Sequence, residues 1–370
     1  MKAGPPPTDA AQPSTPPQPQ GSARGAADPA FHLAIDAMGG DRGAEMVIGG
    51  LEIAAERHPT ARFLLVGDQE KLLPLLAKHK RAQRACVLRH APDYISGDMK
   101  PTAAIRQGRN SSMRRAIDAV ASGEASGIVS AGNTGALMAL AKVVLKTLAG
   151  IDRPAMAAIG PSARGDMVML DLGANVQCDA RNLVQFAVMG DVFARTVLGL
   201  PAPTLGLLNV GTEELKGDGR VQAAAEVLRD SPLASQFHGF VEGHDIAAGT
   251  VDVIVTDGFT GNVALKTGEG ALKLVRDLLR QVFTSSLAAK LGYLLARPSL
   301  DRLREWLDPR RYNGAVLLGL NGVVVKSHGG TDPIGFAHAM DVAMDMVTHH
   351  FNDRIREELA GFAAPRLAAQ

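Results

Sequence analysis

Short apolar runs that close on glycine, aspartate, asparagine or serine, and are followed by stretches of helical spacing, restrict this chain to few architectures. The runs are Leu33-Ala34-Ile35, Phe63-Leu64-Leu65-Val66, Gly127-Ile128-Val129, Met167-Val168-Met169-Leu170, Leu205-Gly206-Leu207-Leu208, Val251-Asp252-Val253-Ile254-Val255 and Val323-Val324-Val325. Each has the length and composition of a buried strand. Between them, Ala44 to Arg57, Gly108 to Ala121, Ala136 to Thr147 and Val221 to Arg229 carry apolar residues at helical spacing. Strand, turn and helix repeated this often predict an α/β fold, a largely parallel sheet with helices on both faces. No fixed-period repeat is present, which excludes a solenoid or propeller.

One segment breaks the rhythm. Residues 270 to 308 carry no strand signal and read as consecutive helices interrupted near Gly292 and at Pro298, an arm within about 270–312 that projects from the sheet. Residues 1–29 hold eight prolines among Gln, Ser, Ala and Gly, too little apolar surface to offset ordering, and read as a disordered tail. The domain is placed at 30–362, with 363–370 a C-terminal tail. The tail lacks the apolar core of a secretory signal, and the longest apolar stretch, Ala315 to Val325, is too short for a bilayer. A cytoplasmic protein is expected.

Composition bounds the partners. Hydrophobic residues at 46% and charged residues at 21% are the balance of a packed globular protein. The 39 basic and 38 acidic side chains nearly cancel, so no global field draws the chain to nucleic acid. Cys86 and Cys178 are far apart and fit neither a disulfide framework nor a zinc site, and His349-His350 has no partner at a metal spacing. No metal is expected.

In open α/β sheets ligands bind beyond the carboxyl ends of the strands. Six turns qualify: Asp36 to Asp41, Ser130 to Gly135, Asp171 to Asn175, Asn209 to Glu214, Asp257 to Asn262 and Lys326 to Asp332. All six are expected along one edge. Glycine lets backbone approach an anion, and the amides of a helix start favour negative charge, so phosphate is the natural guest. The strand-terminal Asp36, Asp171 and Asp257 also suit plain turn capping. Gly-x-Gly-x-x-Gly, Gly-x-x-x-x-Gly-Lys-Ser/Thr, Gly-x-Ser-x-Gly and His-Glu-x-x-His are absent, which argues against a Rossmann dehydrogenase, a P-loop kinase, a nucleophile-elbow hydrolase and a zincin.

The strings AIDAMGGD, SAGNTGALMA, DLGAN, LNVGTEELKG, TDGFTGNVALK and KSHGGTD, in this order, resemble the PlsX-type phosphate acyltransferases from about Phe31 to Phe362. The resemblance implies a fold like isocitrate and isopropylmalate dehydrogenases and phosphotransacetylases. It also implies a homodimer without cofactor or metal that moves a fatty acyl group from acyl carrier protein to inorganic phosphate, making acyl phosphate for phospholipid synthesis. More distantly, the TGNVALK and Ser327-His328-Gly329 turns are similar to those of phosphotransacetylases, which usually carry arginine where this chain has His328.

On that reading, phosphate is assigned to Asn133 and Thr134 with the backbone of Gly132 and Gly135, assisted by Lys266 or Lys326. Gly39, Gly40, Asn175, Asn209 and Gly329 complete the substrate-binding set. Asn262 or Ser327 donates to the carbonyl oxygen, and His328 donates or relays a proton, as histidine can near physiological pH. In the arm, Leu287, Leu291, Leu294 and Leu295 recur at helical spacing, and Lys290, Arg297, Arg302, Arg304, Arg310 and Arg311 outnumber Asp301, Glu305 and Asp308. Leu291, Leu294, Arg297, Arg310 and Arg311 are expected to dock acyl carrier protein or the anionic inner face of the membrane, from which a membrane-bound glycerol-3-phosphate acyltransferase takes the product, or else the leucines pack a dimer interface or the core. Competing readings are an NAD-dependent decarboxylating dehydrogenase, for which metal-binding aspartates and an arginine cluster are missing, and a non-catalytic scaffold, which leaves the six turns unexplained.

Overall fold

The computed structural model describes residues 30–363, so the expected N-terminal tail and all but the first residue of the expected C-terminal tail lie outside the described residues. In chain order the first elements are β1 (Phe31–Asp36), α1 (Gly43–Arg57), β2 (Phe63–Gly67), α2 (Gln69–Leu76), α3 (Lys80–Ala85), β3 (Cys86–His90), α4 (Pro101–Gln107), α5 (Ser112–Ala121), β4 (Ala125–Ser130) and α6 (Thr134–Leu145). Next come β5 (Ala155–Ser162), β6 (Gly165–Leu170), α7 (Ala180–Phe193), β7 (Leu205–Leu208), α8 (Gly219–Arg229), β8 (Phe237–Val241), α9 (Gly243–Ala248), β9 (Val253–Val255), α10 (Gly258–Thr284) and α11 (Leu287–Trp306). The chain returns through β10 (Ala315–Leu318), β11 (Val323–Lys326), α12 (Pro333–Thr348) and α13 (Phe351–Ala363).

All eleven strands form one sheet in the order β3-β2-β1-β4-β11-β10-β5-β6-β9-β7-β8. Strands β3, β2, β1, β4 and β11 are parallel, as are β6, β9, β7 and β8, so the expected α/β architecture with a mostly parallel sheet is what forms. Between the two groups, β10 is antiparallel to both β11 and β5, and β5 is antiparallel to β6. These reversals turn the second group against the first. Lys326 ends β11 beside Ser130 and Ala315, whereas Leu318 ends β10 beside Ala155 at the other side, where β6 also finishes at Leu170. The six turns therefore do not share an edge, contrary to the expectation from sequence. Those after β1, β4 and β11 lie on one edge of the sheet, and those after β6, β7 and β9 on the opposite one.

Both faces are packed. Leu33, Ile35, Val129, Val168, Leu170, Val253 and Val325 point into a core shared by α1, α7, α8, α12 and α13. Alternate residues, Ala34, Ile128 and Val324, meet α4, α5 and α6, while Met167, Met169 and Ile254 meet the start of α10 through Ala264 and Leu265. Met156 touches both of these smaller clusters, which puts α6 and α10 on one face of the sheet.

The helices at 258–306 break elsewhere than expected. Gly292 and Pro298 both lie inside α11, and the interruption falls at Ser285 and Ser286, where Ser286 is extended and its hydroxyl accepts from the Ala289 amide as the cap of α11. A serine whose side chain satisfies a helix-start amide ends one helix and begins the next more effectively than a glycine on an exposed face. Among the residues of α10 only Gly258 and Gly261 are buried, and α11 buries none.

Candidate active site

The edge where β1, β4 and β11 end brings three polar side chains under the loops that follow. Asp36 is buried, its Oδ1 accepting from Ser112 Oγ at 2.6 Å and its Oδ2 from Ser130 Oγ at 2.7 Å. Burial pushes the Asp36 carboxyl above its ordinary range, and the two hydroxyls and the nearby charge of Lys326 oppose that push. Ser130 Oγ in turn accepts from the Gly132 amide at 3.1 Å. The loops pack backbone to backbone: a Cβ on Gly39 would sit 2.5 Å from Gly132 N, so only glycine fits there. Gly40, at φ +98°, turns the chain so that the Asp41 amide donates to Gly329 O at 2.9 Å.

Lys326 is the cation of this cluster. It is 8% exposed, and its Nζ donates to the carbonyl oxygens of Ala131 and Ser327. Burial lowers its pKa to about 8 against the opposing pull of Asp41 and Asp36. A buried ammonium with two protons on carbonyls keeps a third for an anion.

The following turn is held by a residue that the sequence did not single out. Asn313, 7% exposed, donates through Nδ2 to Ser327 Oγ at 2.8 Å and to Gly335 O at 2.7 Å, and its Oδ1 accepts from the His328 amide at 2.8 Å. Ser327 is fully buried, its Oγ held by Asn313 and its own proton left unassigned to a protein acceptor. His328 is exposed, and its Nδ1 accepts from the Gly330 amide at 3.1 Å, which leaves Nε2 as the ring nitrogen that faces away from this turn as a donor. Replacing Asn313 by alanine strands the Gly335 carbonyl and the His328 amide, and should lower stability by about 2–4 kcal/mol in urea unfolding.

Asn133 is occupied differently from the expected phosphate role. Its Oδ1 caps α6 by accepting from the Ala136 amide at 3.0 Å, and its Nδ2 reaches the carbonyls of Gly97 and Met99, each at 2.9 Å, tying down the loop before α4. What this helix start offers outward is the exposed Thr134 and the amide of Gly135.

The opposite edge gathers the remaining residues. Asp171 Oδ1 accepts from the amides of Met156, Gly173 and Ala174, and its Oδ2 from both nitrogens of Asn175, whose Nδ2 also donates to Pro154 O. Burial pushes the Asp171 carboxyl upward while these donors oppose it. Asn175 is thus a structural clamp. Asp257 caps α10, accepting from the amides of Phe259 and Thr260. Asn262 and Lys266 stand one turn apart on the exposed side of α10, Lys266 paired with Glu269 at 2.8 Å. Asn209 lines a cavity of about 470 Å³ with Thr256, Asp218 and Arg220, and its Nδ2 donates to Lys216 O at 3.1 Å. Among the described residues, Ser327, His328, Lys326, Thr134, Gly39, Gly40, Gly132, Gly135 and Gly329 are brought together, whereas no hydrogen bond or ion pair joins them to Asn262, Lys266, Asn175 or Asn209. Among the described residues no group of three His, Cys, Asp or Glu side chains is placed to hold a metal ion.

The docking residues expected in the arm divide by chemistry. Leu291 and Leu294 are each 60% exposed. Arg297 pairs with Asp301, and Arg310 pairs with Asp308 and Asp332, while the Arg311 side chain donates to the Glu305 carbonyl and makes no ion pair among the described residues.

A family model described as fatty acid synthesis protein matches residues 31–354. The phosphate acyltransferase of Granulibacter bethesdensis is 70% identical over 341 residues, covering 90% of this chain and 92% of its own. That of Gluconobacter oxydans is 65% identical over 346 residues, 93% and 94% of the two chains. Solved structures share the fold at low identity: a phosphotransacetylase from Streptococcus pyogenes has a TM-score of 0.59 at 17% identity over 86% of this chain and 94% of its own. A branched-chain phosphotransacylase from Enterococcus faecalis V583 has a TM-score of 0.52 at 14% identity, over 85% and 99%. By these matches the chain belongs to the fatty acid synthesis protein family and, within it, to the phosphate acyltransferases, which are transferases.

Proposed function

We propose that this phosphate acyltransferase moves a long-chain fatty acyl group from the thioester of acyl carrier protein to inorganic phosphate, releasing acyl phosphate and free carrier. The observation that carries the reading is the buried ammonium of Lys326, whose Nζ reaches the Ala131 carbonyl just before the start of α6, a helix start whose amides favour an anion. Phosphate sits between Lys326 and the amides of Thr134 and Gly135. One of its oxygens attacks the thioester carbonyl carbon, the carbon–sulfur bond breaks after the oxyanion forms, and the departing thiolate takes a proton. The Ser327 hydroxyl and the His328 Nε2–H are the donors for the oxyanion and the thiolate.

Sheet twist supports a share for α10. At about 20–25° per strand pair, the steps from β1 to β9 rotate one end of the sheet by roughly 120–150° against the other. Edges opposed in register then turn toward a common cleft on the face of α6 and α10, across which Asn262 and Lys266 meet the substrate. Holding phosphate and thioester together supplies roughly 7–11 kcal/mol of the barrier, and aimed donors a few more. The exposed leucines of α10 and α11 offer their apolar area to a second copy of the chain or to an anionic membrane, where a glycerol-3-phosphate acyltransferase consumes the product. No helix among the described residues is long and apolar enough to cross a membrane.

The test incubates purified protein with palmitoyl-acyl carrier protein, with and without phosphate, and traps product with hydroxylamine. Phosphate-dependent hydroxamate and free carrier are the expected result; folded protein that makes neither would overturn the proposal. His328→Ala and Lys266→Ala should each reduce the rate more than tenfold, and losses below tenfold in both would remove these residues from the mechanism.

A further inference from the structure

We infer that the carrier protein docks on the basic ridge of α4 and the turn that follows it, not on the helices at 258–306. The inference rests on the carrier-thioester reading above. Between Asp98 and Asp118 the chain carries Lys100, Arg106, Arg109, Arg114 and Arg115 and no acidic residue. Arg114 is taken up by Asp118, and Arg115 by the His90 carbonyl. Lys100, Arg106 and Arg109 are exposed and make no ion pair among the described residues, while Asp98, on the loop just before, is held by Ser96 and its own backbone.

The ridge adjoins the site. Pro101, the first residue of α4, lies 3.0 Å from where a Cβ on Gly135 would stand, and the Met99 carbonyl accepts from Asn133 at the start of α6. A partner bound on these three cations therefore stands beside the start of α6, where the reading above seats phosphate. The arm is mixed: Arg276, Arg297, Arg304 and Arg310 are each paired with an aspartate of the same segment or of α12's cap, whereas the exposed Lys273, Arg280, Lys290 and Arg302 make no ion pair among the described residues, so what sets the ridge apart is its contact with the start of α6. A cation already paired contributes little to an acidic partner, whereas an unpaired exposed one steers it. The acidic surface of acyl carrier protein is the partner that an unpaired cationic ridge beside a thioester site fits.

The test compares wild type with the triple variant Lys100→Glu, Arg106→Glu, Arg109→Glu, and with Lys290→Glu, Arg302→Glu in the arm. Two quantities are read: binding of fluorescently labelled acyl carrier protein at low salt, and turnover of palmitoyl-carrier against neutral palmitoyl-pantetheine. The ridge variant should weaken carrier binding by at least about tenfold and flatten its salt dependence. It should also raise the KM for palmitoyl-carrier by a similar factor and leave palmitoyl-pantetheine turnover within twofold. The arm variant should bind carrier as wild type does. Unchanged carrier affinity in the ridge variant, or a loss confined to the arm variant, overturns the inference even if wild type makes acyl phosphate. Wild type that binds carrier through the ridge but makes no acyl phosphate refutes the reaction and keeps the docking surface.

Discussion

Replacing Lys326 by methionine should reduce phosphate-dependent acyl phosphate formation by at least about 100-fold without lowering the midpoint of thermal unfolding. The two halves of this expectation have one cause. A buried ammonium beside a dianion acts in a medium where charge is poorly screened, so its loss removes far more than a surface ion pair would. The same burial makes Lys326 costly to the fold when no phosphate is bound, and an apolar side chain of similar length removes that cost. The pH dependence separates the effects further. With a pKa of about 8 in the folded protein against an ordinary 10.5, the ammonium is lost from the native state as pH rises through 8, while the unfolded chain keeps it. Over that window the unfolded state binds more protons, so the lysine's contribution to stability increases with pH, while affinity for phosphate falls. A phosphate KM that climbs from pH 7 to 9 as thermal stability holds or improves is the expected pattern. A phosphate KM that stays flat across this range, or a methionine variant within tenfold of wild type, would take Lys326 out of the phosphate site.

The sequence announced much of the fold and divided the site imperfectly. Each of the seven apolar runs lies in or overlaps a strand, because a buried parallel strand must be apolar on both faces and leaves a dense local signal. Four strands escaped notice. β3 and β8 are the sheet's outer strands and carry Arg89, His90 and His238 on partly exposed positions; β5 contains Gly160 and Pro161. β10 was hidden inside one continuous apolar stretch, Ala315 to Val325, that folds back at Gly319 and Gly322, whose positive φ angles permit the reversal. Missing β5 and β10 meant missing the antiparallel steps that put three of the six turns on the other edge. Strand direction is not written in apolar periodicity, which explains why the turns were legible and their grouping was not. Asn313 and Ser112 escaped for a related reason: each acts from outside the glycine-rich turns, and its role exists only once β10 lies beside β11 and α5 beneath β1.

Gly261→Ala should destabilise the protein by at least about 3 kcal/mol and lower kcat, with the phosphate KM left near its wild-type value. A Cβ at this position would lie 1.9 Å from the Asp171 carbonyl oxygen and 2.9 Å from Thr256 Cγ2, and because the first of these is backbone, α10 must move away from β6 as a whole. Overpacking ordinarily costs about 1–3 kcal/mol where side chains can adjust, and here the main obstacle is not a side chain. Removing the carboxylate itself, Asp171→Ala, should cost as much by a different route, since five N–H donors from Met156, Gly173, Ala174 and Asn175 lose their acceptor inside the protein. Asp171→Asn should fall between, because one amide oxygen can still accept while the NH₂ group faces donors. The kinetic half of the expectation follows from topology. Asn262 is the next residue on α10, so a displaced helix moves the side chain proposed to meet the substrate from that side, whereas Lys326 and the start of α6 belong to the other parallel group and stay in place. A phosphate KM that rose together with the loss of kcat in Gly261→Ala would mean that α10 contacts phosphate directly, and the division of labour between the two edges would have to be redrawn.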